Sequence, residues 1–232
     1  MSTFMSTILG CNAIDNRVID PIKSTLSEKY GKSFTVAAIG DRIDRDTATA
    51  YVYADDDPTM RFVARVNRSG EVVYEEYSYR LLCRTVENKI NAAFEKYGIK
   101  SECFVTFTPR KNIDISPNMS FEEYVKVNSP ETALASIVVL SDDGLTGENI
   151  VNIYAEICDF LESVDFGTGL YILTGNDFDT IKEKIMYEVE TFNQQDLKYY
   201  GASDNIKVLY IKVEDKKMPL SVSDIDAELG KG

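Results

Sequence analysis

The change in hydrophobic period along this chain limits its fold more than any other feature. Residues 34–40, 47–54 and 60–67 carry the β-branched, aromatic and alternating residues that are typical of strands. Asn67-Arg-Ser-Gly70 is a hairpin turn signal before a returning strand. After residue 120, strand-like and helix-like runs alternate instead. A meander followed by alternation predicts α+β layers rather than one doubly wound sheet.

Two amphipathic helices are predicted on either side of the meander. The first covers residues 13–30 and ends at Gly31, and the second covers residues 76–97 and ends at Gly98. A strand at residues 103–108 follows. The N-terminal part is therefore predicted to be an α-β-meander-α-β unit.

The rest of the chain is predicted to form a β-α-β-α-β unit after a short helix. Ser120-Phe-Glu-Glu123 is a capping box that opens this short helix. The elements after it are a strand at 135–141, a helix at 146–162, a strand at 169–174, a helix at 177–192 and a strand at 206–213.

The composition of the connecting segments predicts the domain boundaries. Residues 109–119, which two prolines bracket, are predicted to be a linker, the alternative being a long surface loop within one domain. The predicted segments are an N-terminal segment 1–12, an α+β domain 13–108, the linker, a second α+β domain 120–213 and a loosely held tail 214–232.

The chain contains no histidine, and this excludes several kinds of active site. Ser-His-Asp and Cys-His catalysis and HExxH zinc sites all need an imidazole. The sequence also lacks the GxGxxG and GxxxxGK[ST] phosphate-binding loops. No cofactor is predicted, and the sequence favours a protein that is not an enzyme.

The formal net charge of −13 limits the partners of the chain. It argues against nucleic acid and anionic membrane surfaces, which bind basic patches. No stretch approaches the roughly 18 apolar residues of a membrane span. The charge has two interpretations: solubility, or attraction to another protein that is basic.

Three aspartates are the candidates for a carboxylate site. Asp142 and Asp143 follow a predicted strand, and Asp177 follows the next one, at the strand ends where α/β proteins often bind ligands. A hydrolase that uses these carboxylates, with or without a divalent metal, is the alternative function. The competing interpretation is that they cap helices and form turns.

Tyrosines concentrate on the meander and at the start of the next helix. Tyr51 and Tyr53 share one face of their strand, and Tyr74 and Tyr77 follow nearby. Such a face favours protein binding, because tyrosine is enriched at interfaces. The alternative is a face that a helix of the same chain covers.

The four cysteines have two different interpretations. Cys83, Cys103 and Cys158 lie within predicted elements, so we expect them to be buried, reduced core residues. Ile8-Leu-Gly-Cys11 looks like the cleavage box of a lipoprotein, with Cys11 as the lipidated residue, although residues 1–7 lack the charged start and apolar core of such a signal.

Three short motifs resemble a loose group of small, uncharacterised, exported or membrane-anchored α+β proteins of Gram-positive bacteria. The motifs are Lys29-Tyr-Gly-Lys-Ser-Phe-Thr-Val36, Ala48-Thr-Ala-Tyr-Val52 with Asp57-Pro58 and Phe62, and Met119-Ser-Phe-Glu-Glu-Tyr-Val125. The resemblance implies tethering outside the membrane and no catalytic residues. It favours the cell envelope over the cytoplasm. It also implies that residues 8–11 are a trimmed lipoprotein box.

The leading hypothesis is therefore a non-enzymatic protein-interaction module. A narrower form of it is an immunity-type inhibitor whose acidic charge meets a basic partner. The carboxylate hydrolase remains the alternative.

Overall fold

The structure is a computed structural model, and it describes most of the chain. The described residues are 12–40, 46–108, 115–128, 134–141, 143–161, 164–173, 177–185, 194–202 and 206–230. The chain separates into two compact units, Met1–Arg80 and Leu81–Gly232, with the division inside helix α2 (Tyr77–Glu95).

The first unit is a helix on a four-stranded antiparallel sheet. Its helix α1 spans Asn12–Tyr30, and its strands, which pair in sequence order, are β1 (Phe34–Ile39), β2 (Thr47–Ala54), β3 (Asp57–Asn67) and β4 (Val72–Glu75). Alternate residues of β2 and β3 are buried, as expected for a sheet with one covered face. Helix α1 packs on this sheet and buries Val18, Ile22 and Leu26.

The second unit is a four-stranded mixed sheet between helices. It contains most of α2 and, after it, β5 (Ser101–Thr108), α3 (Phe121–Asn128), β6 (Leu134–Ser141), α4 (Gly147–Leu161), β7 (Asp165–Ile172), α5 (Asp177–Ile185), α6 (Gln194–Tyr199), β8 (Lys207–Val213) and α7 (Val222–Leu229). The strand order is β5-β6-β7-β8, and only β6 and β7 are parallel. Strand β6 is buried along its second half, which explains its continuous apolar run.

The α+β class and the order of elements agree with the expectations from the sequence. Gly31 and Gly98 end their helices with φ angles of +66° and +72°, a conformation that glycine adopts without steric cost. Strand β7 begins at Asp165, four residues before the predicted position. Helix α6 had no counterpart among the predicted elements.

The boundary between the units differs from the expected one. The sequence assigned residues 13–108 to one domain, whereas β5 pairs along its whole length with β6 in the second sheet. The residue pattern of β5 shows that it is buried but does not identify its neighbour, because the helix before it allows pairing with either sheet. The predicted linker 109–119 lies mostly outside the described residues.

The C-terminal segment also differs from the loosely held tail that its polar composition predicts. It contains α7, where Ser221 and Asp224 form a reciprocal capping box and Ile225 is fully buried. The Gly147 N–H, at the start of α4, donates a 2.7 Å hydrogen bond to the Asp226 carboxylate. A Cβ on Gly147 would lie 2.6 Å from Val222 O, so glycine permits this close contact.

Candidate functional site

The face of the first sheet opposite α1 carries the predicted tyrosine surface. Tyr51 of β2 pairs with Val63 of β3, and Tyr53 pairs with Arg61. All four side chains are half-buried, whereas the residues between them, such as Val52, are fully buried on the α1 side. Among the described residues of the first unit, no helix packs on this second face.

Tyr74 extends this surface onto β4. Arg65 pairs with Tyr74 across β3 and β4, and its guanidinium carbon lies 5.2 Å from the centre of the Tyr74 ring. This is a cation–π contact between neighbouring strands. The Tyr74 hydroxyl donates a 2.6 Å hydrogen bond to Glu76, which fixes the ring. We use the name tyrosine face for Tyr51, Tyr53, Arg61, Val63, Arg65 and Tyr74.

Tyr77 does not belong to the tyrosine face, because only 2% of it is exposed. Its ring lies on the α1 side, with ring centres 4.7 Å from Tyr30, 5.0 Å from Phe34 and 5.2 Å from Phe62. The expectation that Tyr77 contributes to an exposed binding surface is therefore contradicted. As the first residue of α2, it turns inward and completes the core of the first unit.

Glu75 holds the aromatic cluster in position. One carboxylate oxygen accepts hydrogen bonds from Tyr30 Oη (2.6 Å) and Lys29 Nζ (2.8 Å), and the other accepts one from the Tyr77 N–H (2.7 Å). The hydrogen bond to Glu75 raises the pKa of Lys29, although burial opposes it. Burial, and then the hydrogen bond to Glu75, raise the pKa of Tyr30. This site is structural, since every group in it has a partner.

The three candidate aspartates do not form a recognisable site. Asp142 lies outside the described residues, Asp143 is exposed after β6, and Asp177 is half-buried in the first turn of α5. Within the described part of the chain, no three Cys, Asp or Glu side chains are arranged to hold a metal ion. No described geometry therefore favours the hydrolase alternative.

A buried ionic network at the edge of the second sheet was not predicted from the sequence. Glu87 of α2 is fully buried and accepts a 3.0 Å hydrogen bond from the Val105 N–H of β5. Arg84 lies 3.7 Å from Glu87 and 3.8 Å from Glu102, and Lys182 lies 3.0 Å from Glu102. The sequence did contain a signal for the burial of Glu87. Glu87 follows the core residue Val86 and lies three residues before the core residue Ile90, so the helical period places it near the buried face of α2.

A cavity of about 330 Å³ opens near this network. Its polar lining includes Lys100 and Lys182, and each lysine is already paired with a carboxylate, Lys100 with Asp179 at 3.0 Å. An anionic ligand would have to displace these carboxylates. The network and the cavity are therefore better explained as the contact of α2 and α5 with β5 than as a ligand site.

The negative charge is concentrated in one unit. Met1–Arg80 hold 10 of the 25 Lys and Arg and 12 of the 38 Asp and Glu, so the first unit carries −2 of the total of −13, which leaves −11 for Leu81–Gly232. The tyrosine face thus belongs to a nearly neutral unit. Any electrostatic attraction to a basic partner comes mainly from the other unit.

The described cysteines are reduced and buried, as predicted: Cys83, Cys103 and Cys158. Burial raises the pKa of the Cys158 thiol, which keeps it protonated and unreactive. Cys11 lies outside the described residues. None of the described helices has the length and apolar character needed to cross a membrane.

Comparison with known proteins supports the fold. No family model matches the chain, and no curated protein matches it either. The crystal structure of a DUF5037 family protein from Ruminococcus gnavus ATCC 29149 is similar to this chain, with a TM-score of 0.72 at 20% sequence identity over 92% of this chain and 99% of that one. This likeness defines an α+β protein with two four-stranded sheets and indicates no function.

Proposed function

We propose that this chain is a non-enzymatic protein-interaction module that binds its partner through the tyrosine face. The observation that carries the proposal is a sheet face that no described helix of the first unit covers, on which the tyrosines and Arg61 are half-buried and Arg65 is exposed. Tyrosine and arginine are the residues that contribute most often to binding energy at interfaces. They are pre-ordered here by cross-strand pairing, which lowers the entropy cost of binding.

A pull-down from the native organism tests this proposal with matched variants. The bait is the full chain, and the test variant carries Tyr51→Ala and Tyr53→Ala. The control is Tyr199→Ala in α6, because Tyr199 is 79% exposed and belongs to the other unit. Truncation of two central aromatic residues costs at least about 2 kcal/mol of binding energy, or roughly thirtyfold in affinity.

The proposal predicts a protein that the wild type and the Tyr199→Ala variant capture and the double variant does not. Equal capture by all three would show that the tyrosine face does not bind the partner. Circular dichroism of the double variant shows whether it is folded, and purified partner then gives its dissociation constant.

An immunity-type inhibitor of a basic partner is the narrower form of this proposal. The observation that favours it is the charge of −11 on the second unit. Attraction between an acidic protein and a basic one raises the association rate and weakens as salt screens it. Affinity for the captured partner should therefore fall as salt rises, and an affinity that salt does not change would contradict this form.

Display at the cell envelope is a further part of the proposal, and it rests on the resemblance and on Cys11. Labelling of cells with a fatty-acid analogue should mark the wild type but not a Cys11→Ser variant. Equal absence of label in both would contradict lipidation at this residue.

A further inference from the structure

We propose that two copies of this chain pair through the edges of strand β1, so that their first sheets join into one eight-stranded antiparallel sheet. This inference goes beyond the proposed function, because it concerns a different surface and a different partner. It rests on the backbone of β1, on the charges along the sheet edges and on the charge of the first unit.

Strand β1 is an edge strand whose outward backbone groups can be identified. Asp55 N–H donates to Ser33 O at one end of β1, and Gly40 N–H donates to Thr49 O at the other. Hydrogen-bonded and non-bonded residues alternate in antiparallel pairs. Phe34 and Val36 therefore point their N–H and C=O groups away from β2, and no described group hydrogen-bonds to them from the outer side.

The side chains of β1 do not protect this edge. Its sequence, Phe-Thr-Val-Ala-Ala-Ile, contains no charge and no proline, and Ala37 and Ala38 are exposed. A bulge between Val36 and Ala38 is the only irregularity, and it leaves the stretch before it in regular register. Uncharged, exposed edge strands pair readily with further strands.

The three other sheet edges differ from β1. Glu87 covers the edge of β5 by accepting the Val105 N–H. Strand β4 is only four residues long. Strand β8 carries Lys207 and Lys212, and charged residues of this kind prevent pairing between edges. The β1 edge is therefore the described edge with the weakest protection, because the bulge after Val36 is its one protecting feature among the described residues.

Charge selects a second copy as the occupant of this edge. An uncharged strand is complementary to itself, and antiparallel pairing about a two-fold axis lets the same segment supply both strands. The first unit carries only −2, so two such edges approach without strong repulsion. A basic partner would find no carboxylate within β1 to recognise.

The pair would close as a dimer and would place two tyrosine faces on one continuous sheet. Each copy has a single β1 edge, so pairing uses both edges and leaves only the short β4 strands outside. Tyr51 and Tyr53 lie opposite Ala38 and Thr35 in the neighbouring strand, so both copies present their tyrosines next to the new junction.

Sedimentation equilibrium of the full chain tests the proposal with two matched charge variants. Ala37→Lys places a lysine on the β1 edge, and Val73→Lys places the same charge on the opposite edge strand, where Val73 is 50% exposed. The wild type and Val73→Lys should form dimers, and Ala37→Lys should raise the dimer dissociation constant at least about tenfold. Salt should strengthen the dimer modestly, because it screens the repulsion between the −11 charges that the two second units carry.

Amide hydrogen exchange gives a second readout within the same strand. The Val36 amide points outward, so its protection should rise with protein concentration, whereas the inward Thr35 amide should be protected throughout. A wild type that stays monomeric at submillimolar concentration overturns the proposal, and so does an equal loss of dimer in both lysine variants. The Tyr51→Ala and Tyr53→Ala variant should still dimerise, which separates this result from the outcome for the tyrosine face.

Discussion

The two sheets of this protein have the same number of strands but are covered differently. In the first sheet only the face beneath α1 is fully buried, and β2 alternates buried and half-buried residues along its whole length. In the second sheet one face packs on α4 and the other packs on α5 and α6, where Leu140 and Ile181 are both fully buried. The comparison shows that the first sheet leaves one whole face half-buried or exposed. The second sheet is closed on both faces around Leu140, although Tyr210 on the α5 and α6 face of β8 is 73% exposed.

A lysine on the second face of each sheet tests this difference most directly. Leu140→Lys would bury an ammonium group among the apolar contacts of α5 and should cost more than about 4 kcal/mol of unfolding free energy. Val63→Lys lies on the tyrosine face, where the ammonium can reach water, and should cost less than about 1 kcal/mol. Chemical denaturation of the two variants measures both costs, and similar losses would mean that the tyrosine face is as closed as the site of Leu140.

The edges of the two sheets differ as well, because Glu87 covers the β5 edge of the second sheet. Substitution of Glu87 tests how much this cover stabilises the protein. Glu87→Ala removes the buried carboxylate that accepts a hydrogen bond from the Val105 N–H and should cost about 2–3 kcal/mol. Glu87→Gln keeps an acceptor oxygen and should cost less than half as much. Amide exchange at Val105 should accelerate only in the alanine variant, and equal stability of the two variants would show that this hydrogen bond does not protect the edge.

A substitution in β1 tests the edge of the first sheet in the same way. At protein concentrations where the chain is monomeric, Val36→Pro removes an N–H that points away from β2, so it should cost less than about 1 kcal/mol. A loss as large as that of Glu87→Ala would mean that the Val36 N–H already has an acceptor.

Docking of α7 onto α4 is particular to the second unit, and Gly147 controls it. Gly147→Ala places a Cβ 2.6 Å from both Val222 O and Asp226 Oδ1 and should cost about 1–3 kcal/mol. The control is Gly167→Ala, since a Cβ there meets no atom within 4 Å. Faster amide exchange at Ile225 in the Gly147 variant alone would confirm the effect, whereas unchanged exchange in both would show that α7 tolerates the shift.

The sequence predicted elements better than it predicted their partners. The alternation of β2 and the continuous apolar run of β6 report how many faces of each strand are buried, so both strands were located and oriented correctly. The partner of β5 was not predicted, because pairing depends on how the chain returns after α2 and not on the residues of β5. Helix α7 was not predicted either, because its sequence is mostly polar and its packing depends on one buried residue, Ile225.

Sequence also predicted those parts of the candidate site that depend on local periodicity, and not those that depend on how elements pack. Tyr51 and Tyr53 share a face by the period of a strand alone, and this is independent of the rest of the fold. Tyr77 was misplaced because it begins a helix, where the direction of the side chain depends on how α2 meets the sheet. Glu87 was missed because a carboxylate in a helix is normally exposed, and only the edge of β5 makes its burial favourable.

The smallest effect at neutral pH concerns a buried hydroxyl pair in the second unit. Tyr154 Oη and Thr168 Oγ1 are buried, and neither has a hydrogen-bond partner of good geometry among the described residues. Burial raises the pKa of Tyr154, and the nearby Thr168 hydroxyl opposes this shift. Since an unpaired buried hydroxyl brings no gain in stability, Tyr154→Phe should change the unfolding free energy at neutral pH by less than about 1 kcal/mol.

The same substitution should alter stability at alkaline pH. Because the folded state holds the Tyr154 proton more tightly than the unfolded state, whose pKa is near 10.0, its contribution is complete below that pH and is lost as the pH rises further. Burial also raises the pKa of Tyr171, to about 12. The contributions of both tyrosines to the unfolding free energy therefore decrease at alkaline pH. Urea denaturation from neutral pH to about pH 11 should therefore show a shallower alkaline loss for Tyr154→Phe than for the wild type. Parallel curves would mean that Tyr154 ionises equally in the folded and unfolded states, and a large loss at neutral pH would mean that its hydroxyl is paired.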